Sequence, residues 1–306
     1  VISYKQAMLE FGTDKPDLRN PLRIVDTTDF FQRCTFKPFH GKTVRAIKVH
    51  ADMSKGFHEK LLKFAQSIGM GGLGYLEVLE DKSYKGPIDK FIPDDMKQEI
   101  ADIANLEVGD TIFFIADTEE HAALYAGQIR NELGARLDLL EKNAYRFCFI
   151  NDFPMFEYDK EAKKIIFTHN PFSMPQGGLE ALNTKDPRDI LAYQYDIVCN
   201  GVELSSGAVR NHNLDIMVKA FEIAGYTEED LKEKFGALYN AFQFGAPPHA
   251  GMAPGVDRMI MLLRNEENIR EVIPFPMNGN AQDLMCGAPN EVTEQQLREV
   301  HIKVRQ

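Results

Sequence analysis

The run Gly251-Met252-Ala253-Pro254-Gly255-Val256-Asp257-Arg258 places an arginine just after a glycine-rich turn, ahead of the apolar stretch Met259-Ile260-Met261-Leu262-Leu263. Glycines let a backbone turn sharply and let a ligand approach closely. A helix N-terminus favours anions, and a guanidinium is a planar fork of donors suited to phosphate or carboxylate. On this chemistry Arg258 is an anion ligand at the head of a buried helix. An arginine pairing with a structural acid fits the same stretch equally well, so the run alone leaves both open.

Other segments carry complementary chemistry. Asp196 precedes Asn200-Gly201-Val202-Glu203-Leu204-Ser205-Ser206-Gly207-Ala208-Val209-Arg210. Two carboxylates converging on one cleft are a common way to hold magnesium against substrate phosphates. On a strand, residues of equal parity share a face, so Asp196 and Glu203 do not meet by simple counting. A bend near Gly201 is required, and a surface acid pair is the plainer alternative. Arg210 closes a strand whose Ser205-Ser206-Gly207 leaves room for a ligand, and a two-point grip on a carboxylate suits it. A surface ion pair would also explain it. His169, in Phe167-Thr168-His169-Asn170-Pro171, ends an extended segment, where a proline keeps the preceding residue out of the helical region. It could touch a small polar substrate or serve as a structural histidine. Gly245-Ala246-Pro247-Pro248-His249-Ala250 is a stiff loop feeding the opening run, and Asn280-Ala281-Gln282-Asp283 is a polar cluster of no decisive meaning.

The elements that must hold these groups follow from periodicity and punctuation. Tyr4 to Phe11 reads as a helix, followed by the charge-dense Gly12-Thr13-Asp14-Lys15-Pro16-Asp17-Leu18-Arg19-Asn20, read as a solvated connector. From 22 to about 140 the pattern is an α/β unit. It has a half-buried strand at 43–49, a helix at 58–68, strands at 74–79 and 110–116, and helices at 95–104 and 119–133, the last closed by Gly134. Few polar residues converge there, so it reads as a binding or spacing module. Beyond about 145, strands at 145–150 and 164–168 flank the turn Asp159-Lys160-Glu161. Strands at 188–198 and 204–209 and helices at 214–224 and 228–242 follow. Strands with helical cover predict an α+β fold with an antiparallel sheet.

Composition bounds the class. The chain has 306 residues, 44% hydrophobic and 26% charged, enough for a large core in one or two domains. Apolar runs are as short as Phe147-Cys148-Phe149-Ile150, too short to span a bilayer. No signal peptide is expected. The four cysteines, Cys34, Cys148, Cys199 and Cys286, are far apart and form no zinc pattern, so a reduced intracellular setting is expected. A net charge of −11 does not advertise nucleic-acid binding, although an acidic protein can carry a local basic face. The chain begins with Val1 and enters a helix at once, which suggests a piece of a longer protein.

Taken in order, FGTDKPDLRNP, FINDFPMFEYD, FTHNPFS, NGVELSSGAVR, GAPPHAGMAPGVDR and IREVIPFP with AQDLMCGAP resemble bacterial-type aspartyl-tRNA synthetases over essentially the whole chain. GMAPGVDR resembles motif 3 of class II synthetases. The resemblance implies residues 1–21 as a connector from the catalytic domain and 22–140 as an inserted domain, shared with a subunit of tRNA-dependent amidotransferases. Residues 141–306 become the C-terminal half of the class II catalytic domain. It implies that His169 contacts bound aspartate and Arg210 grips its side-chain carboxylate. It implies that Glu203 binds ATP through Mg2+ with Asp196 as companion, and that Gly255, Val256, Asp257 and Arg258 hold ATP, Arg258 on the phosphates. No protein nucleophile is implied, since aspartate attacks the α-phosphorus of ATP and the aspartyl group then passes to tRNA. Implied partners are L-aspartate, ATP and tRNA-Asp, with tRNA-Asn left open. A cytoplasmic setting and a homodimeric parent are expected, with no membrane. Ser205, Ser206, Asn170 and Pro254 depart from the residues usual in the family. Nothing resembles motif 1, motif 2 or the anticodon-binding barrel, all upstream in the family, so a fragment inactive by itself is expected. The alternative is a non-catalytic tRNA-binding or regulatory protein built on a synthetase relic.

Overall fold

The computed structural model describes residues 1–305. The chain divides into two compact units, one from Val1 to Ala253 and the other starting at Pro254. The first unit opens with β1 (Ile2–Ser3) and α1 (Tyr4–Phe11). Then come β2 (Ile24–Asp26), α2 (Thr28–Arg33), β3 (Thr43–His50), α3 (Lys55–Ser67), β4 (Gly74–Val78), β5 (Tyr84–Lys85), α4 (Lys97–Ala104), β6 (Asp110–Asp117) and α5 (Glu119–Arg136). It continues through β7 (Phe147–Pro154), β8 (Phe156–Asp159), β9 (Lys164–Phe167), α6 (Gly178–Thr184), β10 (Leu191–Cys199), β11 (Val202–Val209), α7 (Leu214–Ile223) and α8 (Glu228–Gln243). The strand β12 (Ala250–Pro254) ends at the boundary, and the second unit holds α9 (Val256–Leu263) and α10 (Glu294–Glu299). Among the described residues no helix is long and apolar enough to cross a membrane.

Two five-stranded sheets dominate the first unit, ordered β1-β7-β10-β11-β12 and β2-β3-β6-β4-β5. The registered pairs are antiparallel except β1 with β7, as the α+β expectation requires. The second sheet is drawn entirely from residues 24–117 and is buried on both faces. Val44, Ala46, Ile112 and Phe114 pack with Phe30 and Phe31 of α2 and Ile100 of α4. Ile47, Val49, Phe113 and Ile115 pack with Leu61 of α3 and Ile129 and Leu133 of α5. The half-buried strand expected at 43–49 is therefore covered twice, because helices flank the sheet on each side.

The first sheet is backed by α1. Ser3 Oγ caps that helix by accepting the Gln6 amide, and Gly12 closes it in the left-handed conformation at φ 68°. Ala7 and Phe11 pack on Cys148, Ile150, Phe153 and Val198. Three local expectations change. The Asp159 turn joins β8 to β9, while the strand over 147–154 pairs with β1 and β10 instead. The helix expected to stop at Gly134 runs on to Arg136. Gly134 serves as a notch there, since a Cβ at that position would strike the Asn20 amide. Finally, Ala250–Pro254, read as loop and turn, forms an edge strand, with proline at its end where no ladder donor is needed.

Candidate functional site

The acidic pair is assembled by one hairpin. Asn200 and Gly201, at φ 51° and 84°, form the two-residue link between β10 and β11, a geometry that positive-φ Asn-Gly favours. Cross-strand partners run Asp196 with Ser206 and Ile197 with Ser205, and then jump to Val198 with Glu203. That jump is a β-bulge at Leu204, and it inserts one residue into the parity count. Glu203 consequently shares a face with Val198 and Asp196, the face that α1 covers. The bend foreseen at Gly201 is thus supplied by the bulge, while Gly201 only turns the chain.

Asp196 is 4% exposed, and its Oδ1 has no hydrogen-bond partner among the described residues. Burial raises its carboxyl above the ordinary range, Ser206 offsets part of the rise, and Glu203 pushes it further up. A cation stands beside the pair. Lys15 Nζ lies 2.6 Å from Asp14 Oδ2 and 3.4 Å from Glu203 Oε2. Burial alone would depress Lys15, but Asp14 and Glu203 hold its ammonium above the usual value. Lys15 and Asp14 received no site role from the sequence, where their loop read as a connector. Its density of charge and turn formers was the available signal.

Arg210 sits at the exit of β11, half-buried, where it forms a bridge with Ser173. Its amide donates to His249 O at 2.9 Å, which ties the end of β11 to the segment entering β12. Ser173 is fully buried and its hydroxyl has no partner among the described residues. His169 follows β9 and stands edge-on to Phe153 of β7, with ring centroids 5.2 Å apart. The structure therefore gathers Asp196, Glu203 and Lys15, while His169 and Arg210 are supplied by separate elements of the same unit. Gly207 was read as a place for close ligand approach. The approaching group is protein: a Cβ there would lie 2.5 Å from both Gly251 O and Tyr195 Cε2. Tyr195 also donates to Gly251 O at 3.0 Å.

In the second unit Gly255 caps α9, and Val256, Asp257 and Arg258 form its first turn. Asp257 suits the positive end of the helix dipole. The helix is less buried than its apolar run predicts: Val256 is 64% and Leu263 69% exposed, and Met261 is its one buried residue. An apolar stripe buries only where another element covers it, and most of this stripe faces solvent. The Asn280–Asp283 cluster is a folded turn, in which Asp283 Oδ1 accepts the Met285 and Cys286 amides. All four cysteines are free, Cys286 alone being exposed.

A family model described as tRNA synthetases class II (D, K and N) matches residues 1–279. The chain is 53% identical over 310 aligned residues to the aspartate--tRNA(Asp/Asn) ligase of Ehrlichia canis (strain Jake), covering 99% of this chain and 52% of that protein. The enzyme of the same description from Zymomonas mobilis subsp. mobilis (strain ATCC 31821 / ZM4 / CP4) is also 53% identical, with the same coverage. The chain thus spans about half the length of the curated relatives it matches. Among solved structures, an aspartyl tRNA synthetase from Entamoeba histolytica aligns with 79% of this chain and 44% of its own, at 19% identity and a TM-score of 0.35.

Proposed function

Because the chain belongs to the class II tRNA synthetase family of the D, K and N type, we propose that it is the C-terminal part of an aspartate--tRNA ligase. The observation that carries the reading is the bulged hairpin that turns Asp196 and Glu203 to one face beside Lys15, in a chain so similar to relatives of that description. Residues 1–21 are the connector, 22–140 the inserted domain and 141–306 the C-terminal half of the catalytic domain. The confinement of the second sheet to 24–117 supports that division.

In this reading the substrates are ATP, L-aspartate and tRNA-Asp, with tRNA-Asn as a second acceptor in the manner of the relatives' description. Arg210 holds the aspartate side-chain carboxylate by two-point contact, and His169 packs beside the substrate. Gly255, Val256, Asp257 and Arg258 hold ATP, Arg258 meeting its phosphates. The aspartate α-carboxylate attacks the α-phosphorus, pyrophosphate leaves, and the tRNA terminal ribose then takes the aspartyl group from the adenylate. No side chain acts as a nucleophile, so rate enhancement comes from positioning and charge. Asp196 and Glu203 are the residues that would hold Mg2+. The orphaned Oδ1 of Asp196 and the mutual repulsion of the pair fit a cation. When bound, Mg2+ neutralises phosphate charge. The parent is a homodimer of the cytoplasm. The isolated chain does not aminoacylate, because it spans only half of such an enzyme.

The test is amino-acid-dependent ATP–pyrophosphate exchange. The full-length parent should exchange with aspartate and not with asparagine or lysine. Robust exchange by the 306-residue chain alone would overturn the claim that it is an incomplete site.

A further inference from the structure

Arg130 lies in the middle of α5, with none of its surface exposed. A buried guanidinium is costly unless its donors are met. No carboxylate stands within ion-pair distance of it among the described residues. Its donors go instead to main-chain oxygens of one loop. Nε donates to Leu22 O at 2.8 Å, and an Nη donates to Asn20 O at 2.8 Å and to Asp17 O at 3.0 Å. The loop answers, since Asn20 Nδ2 donates to Arg130 O at 2.9 Å. Phe11, at the end of α1, lies beneath the guanidinium at 5.1 Å. Burial brings the Arg130 pKa down to about 10, still charged at neutral pH.

The same loop carries Lys15 to Glu203. It also rests on the β10–β11 turn, since a Cβ on Gly201 would sit 3.5 Å from Asp17 Cβ and 3.9 Å from Lys15 O. The loop is thus held at its far end by a buried cation and touches the acidic pair at its near end. Apart from a long contact of 3.4 Å to Asn131 Oδ1 on its own helix and the Phe11 ring, the Arg130 guanidinium is met by this loop, so helix α5 and the loop order together.

We propose that Arg130 is a positioning residue. It fixes the 13–20 loop and thereby sets Lys15 against the Asp196–Glu203 pair, so that a helix of the second-sheet layer places the cation at a site on the first sheet. The inference rests on the proposed synthetase reading only for its kinetic consequence. Lys15 competes with any cation drawn to Glu203. Its release should therefore lower the Mg2+ concentration needed for half-maximal activity, whereas general damage to the site should raise it.

Two arms test this. In the 306-residue chain, Arg130→Lys keeps the charge and stem but cannot reach three carbonyls. Hydrogen–deuterium exchange at 13–20 should quicken about tenfold or more, with β3 and β6 unchanged. Unchanged exchange at 13–20, or equal acceleration throughout, would overturn the proposal. In the full-length parent, aspartate-dependent exchange should show half-saturating Mg2+ lowered by about threefold or more in both Arg130→Lys and Lys15→Ala. The double variant should go no lower than the stronger single one. Additive effects, or a raised Mg2+ requirement in Arg130→Lys, would overturn it. A parent with no aspartate-dependent exchange refutes the synthetase reading instead, and leaves the exchange-protection arm to decide the loop's dependence on Arg130.

Discussion

Asp196→Asn should stabilise this chain at pH 8 while disabling the activity of its parent. Asp196 is buried, one carboxylate oxygen has no donor, and Glu203 on the same face repels the charge. An unsatisfied buried polar group costs about 1–3 kcal/mol, and more when charged. An amide of the same shape sheds the charge but still lacks a full set of partners, so the expected gain is about 1 kcal/mol. For a chain of 306 residues that is roughly 1.5–2 °C in melting temperature. The sign with pH follows from the raised carboxyl. Below the ordinary value of 3.8 both folded and unfolded Asp196 are protonated, and the substitution changes little. As pH rises through the folded value the native state must hold an unwelcome charge, and the variant's advantage grows. Thermal unfolding of both chains at pH 4 and pH 8 measures it. A destabilised Asp196→Asn at pH 8, or an equal gain at both pH values, would refute the electrostatic argument.

Other perturbations probe the scaffold. Gly127→Ala would place a Cβ 2.7 Å from Gly12 O, where α5 meets the end of α1. It should cost about 1–3 kcal/mol by overpacking, and an unchanged urea midpoint would contradict that close approach. Asp110 is buried. Burial would raise its carboxyl, but the Glu107 amide, His50 and Lys48 together hold it low. Asp110→Asn should therefore destabilise by about 1–3 kcal/mol at pH 7, with the difference shrinking as pH falls below 3.8. His58 is stacked on Tyr75 at 4.1 Å, and burial depresses it despite Glu77, whose Oε1 lies 3.1 Å away but off line for a hydrogen bond. It stays neutral where the unfolded chain protonates, so stability should fall as pH drops below 6.5, and less steeply in His58→Phe. Equal pH slopes of the urea midpoints would contradict this.

Elements with strong periodicity were legible in the sequence. The helix at Tyr4–Phe11 has the expected bounds, and the strands over 43–50 and 110–117 lie where their branched and aromatic residues place them. Local pattern could not foresee effects that depend on distant partners. Gly134 looks like a helix stop, yet it is a recess for Asn20, more than a hundred residues away. The Glu203 side chain lies on the wrong face by counting, and only a bulge in the pairing with β10 reverses it. The apolar run after Arg258 predicts burial, but burial belongs to the covering element and not to the helix. The candidate site residues were named from their chemistry and by resemblance. Lys15 and Arg130 were not, because a charged loop and a helical arginine look ordinary until the fold brings them to Glu203 and to three carbonyls.

The central claim is that this chain supplies the aspartate grip of a synthetase. It is tested most directly by Arg210→Lys in the full-length parent, reading the KM values for aspartate and ATP in pyrophosphate exchange. Lysine keeps the charge but loses the planar two-point contact, a charge-assisted interaction of about 1.5–3 kcal/mol. The aspartate KM should rise by about tenfold or more with the ATP KM nearly unchanged. An unchanged aspartate KM, or an equal rise in both, would contradict the assignment.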